Sequence, residues 1–329
     1  MGVGIKDVAR AAGVSPATVS RALGKGPVSE ELRALVEAAV RSTGYRPNLA
    51  ARRLRSQDSG TIGLVVADIR NPFFTAVSRV VEDCAYRAGM RVILCNTDED
   101  PEREALYLRL MQEERLTGMI FAPTRATLDQ LAHRALDFPV VLIDRAGPGG
   151  QHDAVVLDNH EAVGDLVAHL VERGYRRIGG LFGNASTTGL QRRDGYVAAM
   201  QRFGLQPDFR LLAPSAEAAL QLLRAWLADP QRPEAIVASN SLLLMGTLRA
   251  AREAGLAIPQ DLAVAGFDNE NWTELVEPGI TVIEQPVEEI GRAAMSLLFE
   301  RLKTPTLPVR KLVLSGRCVA RGSTASRTS

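Results

Sequence analysis

Residues 5–56 read IKDVARAAGVSPATVSRALGKGPVSEELRALVEAAVRSTGYRPNLAARRLRS. Ile5, Val8, Ala9 and Ala12 fall at helical spacing, which predicts a short amphipathic helix over 5–12. Gly13 can end it, because glycine enters the left-handed region without a Cβ penalty. Ser15 is placed to cap a second helix, with Pro16 at its first position, where no N–H is missed. Helix, glycine-containing turn, helix is the helix-turn-helix pattern. Val14, Val19 and Leu23 then face inward. Ser15, Pro16, Ala17, Ser20 and Arg21 are left on an outer face suited to the major groove of DNA, with Lys25 just beyond it. Arg21 is the best candidate base reader, because a guanidinium pairs bidentately with guanine O6 and N7. Ser29 is placed to cap a third helix, with Glu30 and Glu31 near its positive end. Leu32, Leu35, Val36, Ala39 and Val40 give that helix one apolar face, and Gly44 closes it.

Pro47 blocks continuation, and Asn48 can cap a further short helix over 49–55, LAARRLR. A helix of this length is marginal alone in water. It needs a partner, either DNA or a twin helix. Charge agrees with DNA: residues 1–58 hold ten Lys/Arg against five Asp/Glu, net +5, while the remaining 29 against 33 give −4 and recover the total of +1. Positive charge is thus concentrated where phosphates would lie.

The whole chain has 329 residues, 46% hydrophobic and 23% charged, which suits two or three globular domains. No run of about eighteen apolar residues predicts a membrane helix. The opening MGVGIKDVAR lacks the apolar core of a signal peptide, so a cytoplasmic location is expected. Cys84, Cys95 and Cys318 show no C-x-x-C spacing and are expected as buried thiols. The four histidines are scattered, so neither metal nor cofactor is expected.

After residue 60 the chain alternates strand-like and helix-like segments. Strands are expected at 61–68, 91–96, 118–123 and 140–144, with helices at 74–88, 102–115 and 128–136. A crossing strand at 155–157 leads to a second set. There, strands are expected at 178–184, 235–240 and 262–268, with helices at 161–173, 189–202, 216–228 and 242–254. Residues 281–285 cross back, a long helix follows at 287–302, and 309–314 form a last strand. This alternation implies parallel sheets with helices on both faces, an α/β fold. The predicted organisation is an all-α helix-turn-helix head over 1–47, a hinge over 48–60 and a two-lobed doubly wound body over 61–321. Lobe one takes 61–157 and 287–311, lobe two 158–286 and 312–321, and 322–329 form a disordered tail. Many strands end in polar residues: Asp68, Asn96, Asp144, Asn184, Asn240 and Asp268. Ligands of open α/β sheets bind beyond the carboxyl ends of strands, so two such rows would line a cleft. The plain alternative is that these residues only end strands and cap the next helices.

The chain resembles the LacI family of lactose-repressor-like transcriptional regulators. The likeness rests on IKDVARAAGVSPATVSRAL, on VSEELRALVEAAVRSTGYRPN and on LAARRLRS, and it extends over the body. It implies that hinge helices of two subunits pair in the minor groove, where Leu54 wedges between base steps beside Ala51 and Arg55, with Asn48 at the hinge start. Unstacking a step costs on the order of a few kcal/mol, offset by contacts to the bent duplex. In the body, NPFF at 71–74 resembles the motif whose aromatics, here Phe73 or Phe74, pack on the effector. RRDGY resembles the pattern that brings Arg192 to it, and Asp144 and Asp268 stand at the family's acidic strand ends. ASN at 238–240 is usually followed by Asp, but Ser241 follows here, which puts carry-over at that position in doubt. Trp272, four residues past Asp268, is a further candidate effector contact, with ordinary packing as the alternative. Trp226 fits a helix core face. The resemblance implies a repressor, homodimeric on a palindromic double-stranded operator, with a cleft-bound small molecule setting its affinity. A sugar or sugar derivative is the expected effector; a purine-like corepressor is the alternative. The other class of reading, an α/β enzyme with a fused head, lacks a G-x-G-x-x-G, a G-x-x-x-x-G-K-[ST] or a G-x-S-x-G motif.

Overall fold

The computed structural model of the chain describes residues 3–24, 26–45, 59–131, 136–147 and 150–326. It divides into two compact units, Met1–Ser59 and Gly60–Ser329. The expected hinge helix, with Asn48, Ala51, Leu54 and Arg55, lies outside the described residues, as does Lys25.

The first unit holds helices α1 (Ile5–Ala12), α2 (Pro16–Ala22) and α3 (Glu30–Thr43). Gly13 and Gly44, both at φ 66°, end α1 and α3 as left-handed residues. The Ser15 hydroxyl accepts from Thr18 N–H at 3.1 Å and the Ser29 hydroxyl from Leu32 N–H at 3.4 Å. Val8, Val19 and Val36 meet as the fully buried centre of the unit, with Val14, Leu23 and Val40 packed around them. Leu35 departs from expectation: it is 53% exposed. The helix buries a narrower stripe than five apolar positions suggested, because α1 and α2 cover only the Val36–Ala39 side. Arg33 reaches back to donate to the Ala22 carbonyl at 2.8 Å, closing the end of α2.

The second unit contains two six-stranded sheets. Its first half runs β1 (Thr61–Val66), α4 (Pro72–Arg87), β2 (Arg91–Asn96), α5 (Pro101–Glu113), β3 (Gly118–Phe121), α6 (Arg125–Leu131), β4 (Val140–Ile143) and β5 (Asp153–Leu157). The second half runs α7 (Asn159–Glu172), β6 (Ile178–Gly183), α8 (Thr187–Arg202), β7 (Asp208–Leu212), α9 (Ala216–Ala228), β8 (Ala235–Ala238), α10 (Ser241–Glu253), β9 (Ala263–Phe267), α11 (Asn271–Leu275) and β10 (Thr281–Glu284). The chain then returns through α12 (Val287–Lys303), β11 (Lys311–Leu314) and β12 (Arg317–Val319). The sheet orders are β11-β5-β4-β3-β1-β2 and β12-β10-β9-β8-β6-β7. All pairings are parallel except β10 with β12.

Each sheet is covered on both faces, so its central strands are apolar throughout. In lobe one, Ile62, Leu64, Val66 and Ile120 face α4 and α12, while Val65, Met119 and Phe121 face α5 and α6. In lobe two, Ala235 and Val237 face α7 and α8, while Ile236 and Ala238 face α9 and α10. Alternate residues of one strand therefore belong to different clusters, the period-two signature of a pleat.

Three expectations change. The strand expected over 309–314 is β11, paired with β5 in lobe one, and it is not the last: β12, beyond the expected elements, pairs with β10 in lobe two. The crossing thus falls at Ser315–Gly316 rather than between 311 and 312. Glycine fits there because a Cβ on Gly316 would lie 2.7 Å from the Ile283 side chain. The tail expected as disordered from 322 is instead bound to lobe two as far as it is described. The Ser323 hydroxyl donates to the Val264 carbonyl at 2.6 Å and accepts from Thr281 N–H at 2.8 Å, and the Tyr175 hydroxyl donates to the Ala325 carbonyl at 2.7 Å. Strand β7 and helix α11 had no counterpart in the expected elements; β7 is a largely exposed edge strand without an apolar run to mark it. The three cysteines are free and half-buried.

Candidate functional site

The carboxyl ends of the two sheets face each other across a cleft that encloses about 530 Å³, solvent-open space included. Lobe one contributes Asp68, Asn71, Phe73, Phe74, Glu99, Asp144 and Arg145. Lobe two contributes Ser186, Thr188, Gly189, Arg192, Ser239, Asn240, Leu242, Asp268 and, on the crossing after β10, Gln285.

Six of the seven body residues singled out in the sequence thus come together: Phe73, Phe74, Asp144, Arg192, Asn240 and Asp268. Trp272 does not line this cavity. It packs against the cluster under α9 and α10, and its indole N–H is buried without a partner. Of the other polar strand ends, Asp68 lines the cleft. Asn96 accepts from Ile69 N–H at 3.0 Å and donates to Asp98 at 2.8 Å, and Asn184 is exposed.

Local chemistry explains each placement. Asn71 caps α4 by accepting from Phe73 N–H at 3.1 Å, with Pro72 at the first position. That cap turns Phe73 and Phe74 inward, where their rings meet edge to face at 5.1 Å. Asn240 caps α10 by accepting from Leu243 N–H at 2.8 Å, so it fills both the capping and the lining role.

Arg192 lies on α8 and is 3% exposed. Its guanidinium stands 3.9 Å over the Phe267 ring. Its Nε donates to Asn159 at 2.8 Å and its Nη1 to the Ser239 carbonyl at 2.5 Å, while Nη2 is buried without a partner. Burial lowers its pKa, opposed by the negative charge of Asp268. Asp268 accepts from Gln285 at 2.7 Å and from Ser241 N–H at 3.0 Å. Burial raises its carboxyl above the ordinary range, opposed by Arg192.

Sequence reading missed Arg145 and Glu99. Arg145 is 3% exposed and donates to Asp144 at 3.0 Å, to the Pro123 carbonyl at 2.9 Å and through two nitrogens to Glu99. Burial alone would lower its pKa, but Glu99 and Asp144 outweigh burial and raise it. The available signal was Arg145 directly after Asp144 in VLIDR; nothing local marks Glu99, 46 residues away. Among the described residues no three metal-ligating side chains stand together, and no helix is long and apolar enough to cross a membrane.

On the head, Ser15, Pro16, Ala17 and Arg21 are exposed and Ser20 half-buried, at the cap of α2 or along it, with Arg21 in its last turn. Gly26 gives the Arg21 stem room, since a Cβ there would come within 3.2 Å of it.

A helix-turn-helix head followed by a two-lobed body with a polar cleft defines a DNA-binding regulator that carries a receptor for a small molecule. Comparison with known proteins agrees. Residues 4–48 match the family described as bacterial regulatory proteins, lacI family, and residues 167–324 match a periplasmic binding protein-like domain. The ribose operon repressor of Escherichia coli (strain K12) is 34% identical over 97% of this chain and 99% of its own length. The HTH-type transcriptional regulator PtxS of Pseudomonas plecoglossicida is 36% identical over 99% of this chain and 96% of its own. The solved lac repressor dimer, bound to operator and the anti-inducer ONPF, shares the fold with a TM-score of 0.88 over 99% of this chain and 100% of that one, at 24% identity. The chain belongs to the lacI family of bacterial regulatory proteins. It is a DNA-binding transcriptional regulator with an effector-binding body.

Proposed function

We propose that the cleft takes a neutral, polyhydroxylated effector of monosaccharide size, and that its binding sets the operator affinity of a homodimer. The observation that carries this reading is the buried pair of Arg192, with Nη2 unpartnered, and Asp268 on the same cavity. A hydroxyl both donates and accepts, so it suits a donor and an acceptor held together. The charged lining comprises four carboxylates (Asp68, Glu99, Asp144 and Asp268) against two guanidinium groups, Arg145 and Arg192. Arg145 already gives most of its donors to Glu99, Asp144 and Pro123. Such a cavity disfavours a phosphorylated or acidic ligand. Phe73 and Phe74 supply the apolar wall that sugar rings require.

Ser15, Pro16, Ala17, Ser20 and Arg21 are the proposed major-groove face. Lys25, Asn48, Ala51, Leu54 and Arg55 are the proposed further contacts. The similarity to a ribose operon repressor makes D-ribose the first probe. A thermal-shift screen of neutral sugars, nucleosides and phosphorylated sugars tests the reading. A neutral sugar at about 100 times its dissociation constant adds about 2.7 kcal/mol of stability. The same sugar changes operator affinity about 5- to 150-fold. Stabilisation by nucleosides or phosphorylated sugars, with none from neutral sugars, overturns it.

A further inference from the structure

We infer that Glu99 is a specificity-determining residue. Its carboxylate saturates Arg145, so the cleft admits neutral sugars and turns sugar acids away. The inference deepens the sugar reading above and rests on it, but its test reads a gain in a variant and succeeds or fails separately.

A guanidinium has five N–H donors. In Arg145, Nε donates to Asp144 at 3.0 Å and Nη1 to the Pro123 carbonyl at 2.9 Å, while Nη1 and Nη2 each donate to Glu99. Two bonds from one guanidinium to one carboxylate are the arrangement by which arginine grips a carboxylate or phosphate ligand. Glu99 already fills that place. Arg192 differs, because its bonded partners, Asn159 and the Ser239 carbonyl, are neutral.

The neighbouring carboxylates each have a guanidinium of their own. Asp68 accepts from Nε and Nη2 of Arg70, both at 2.9 Å, and Asp98 accepts from Arg103. Asp144 accepts from Arg145, and the negative charge of Asp268 acts on Arg192. Glu99 shares the arginine that serves Asp144, so it is the surplus negative charge of the cavity. An anionic effector would add a second one beside two arginines that are each 3% exposed, where water and salt screen little. A hydroxyl carries no such cost.

Glu99 cannot retreat to make way. Asp98 and Glu99 have φ 52° and 58°, a region that side chains other than glycine seldom adopt. Thr97 N–H donates to the Val66 carbonyl and Glu99 N–H to the Ala67 carbonyl, both at 3.0 Å, which ties the loop to the end of β1. Asp100 caps α5 by accepting from Glu102 N–H at 2.8 Å. The Glu99 side chain between these ties is only 14% exposed.

The test uses the full chain and three matched pairs of probes: D-ribose with D-ribonate, D-glucose with D-glucuronate, and D-galactose with D-galacturonate. Glu99→Gln keeps the shape, loses the charge and leaves Asp144 opposite Arg145. Glu99→Asp keeps the charge and suits a positive φ. Melting curves and titration calorimetry are expected to show that E99Q gains at least one of the acids. It should bind that acid about 10- to 100-fold more tightly than the wild type does, the worth of one hydrogen bond to a charged group. E99D is expected to reject the acids as the wild type does, and adding Arg145→Gln to E99Q is expected to cancel the gain. If E99Q is unfolded without ligand, the same acid is expected to restore a cooperative melt. Overturning results are an E99Q protein that gains none of the acids, a wild type that binds them as well as E99Q, an E99D protein that gains as E99Q does, or a gain that survives loss of Arg145. An E99Q protein without a gain leaves the neutral-sugar screen to stand. A wild type that answers only to nucleosides overturns the sugar reading and leaves a gain in E99Q intact.

Discussion

Arg192 commits two of its nitrogens to Asn159 and Ser239 and leaves the third buried without a partner. A buried donor left unmade costs about 1–3 kcal/mol, which a ligand acceptor would recover. Arg192→Ala or Asp268→Ala is therefore expected to abolish ligand-induced stabilisation and the ligand response while operator binding persists. A gel-shift titration beside a melting curve checks both halves. Because burial raises the Asp268 carboxyl, acidification should weaken ligand binding at a higher pH than an ordinary carboxylate would. Arg192, Asp268 and Asn240 were legible because strand-end position and short motifs are local in the chain. Arg145 with Glu99 was not, since a pair 46 residues apart leaves no period to read. Trp272 shows the reverse case. Nearness in sequence to Asp268 suggested the cleft, but α11 turns the ring onto the core of lobe two.

Elements were most legible where caps and periodicity coincide, as at Ser15 and Ser29. They were least legible where tertiary bonds do the work. The segment Gly322–Thr324 has no pattern of its own, yet Thr324 is fully buried. Its hydroxyl lies 2.6 Å from that of Thr281 and 2.7 Å from Nε2 of His169. Burial, with help from Arg173, holds the His169 pKa down to about 4, so the imidazole is neutral in the folded chain. An unfolded histidine titrates near 6.5. The unfolded state thus gains a proton first, and the stability from this group is complete above about pH 6.5 and is lost as pH falls toward 4. Melting curves of wild type and His169→Gln across that window check this: the gap between them should narrow on acidification. A constant gap counts against the assignment.

The molecule separates its charge: net +5 in residues 1–58 and −4 in the rest. DNA affinity should fall steeply with salt, in proportion to the phosphates neutralised. Leu54→Ala is expected to weaken specific operator binding, by roughly the 1–3 kcal/mol scale of a lost site contact, while salt-sensitive binding to random duplex stays nearly intact. Filter binding to both duplexes over a salt series distinguishes this from equal loss of both. The two-lobed architecture was readable from alternating segments, because a parallel strand must be followed by a covering helix. The crossing between β11 and β12 was expected a few residues too early, because β12 is only three residues long and leaves no period to read. That crossing has a consequence during synthesis. Residues 311–314 finish the edge of one lobe and residues 317–324 finish the other. Folding proceeds from the N-terminus as the chain emerges from the ribosome. The operator-reading helices are thus formed while the apparatus that restrains them is still half built. A prematurely terminated chain keeps the DNA-binding head and lacks the finished receptor that governs it.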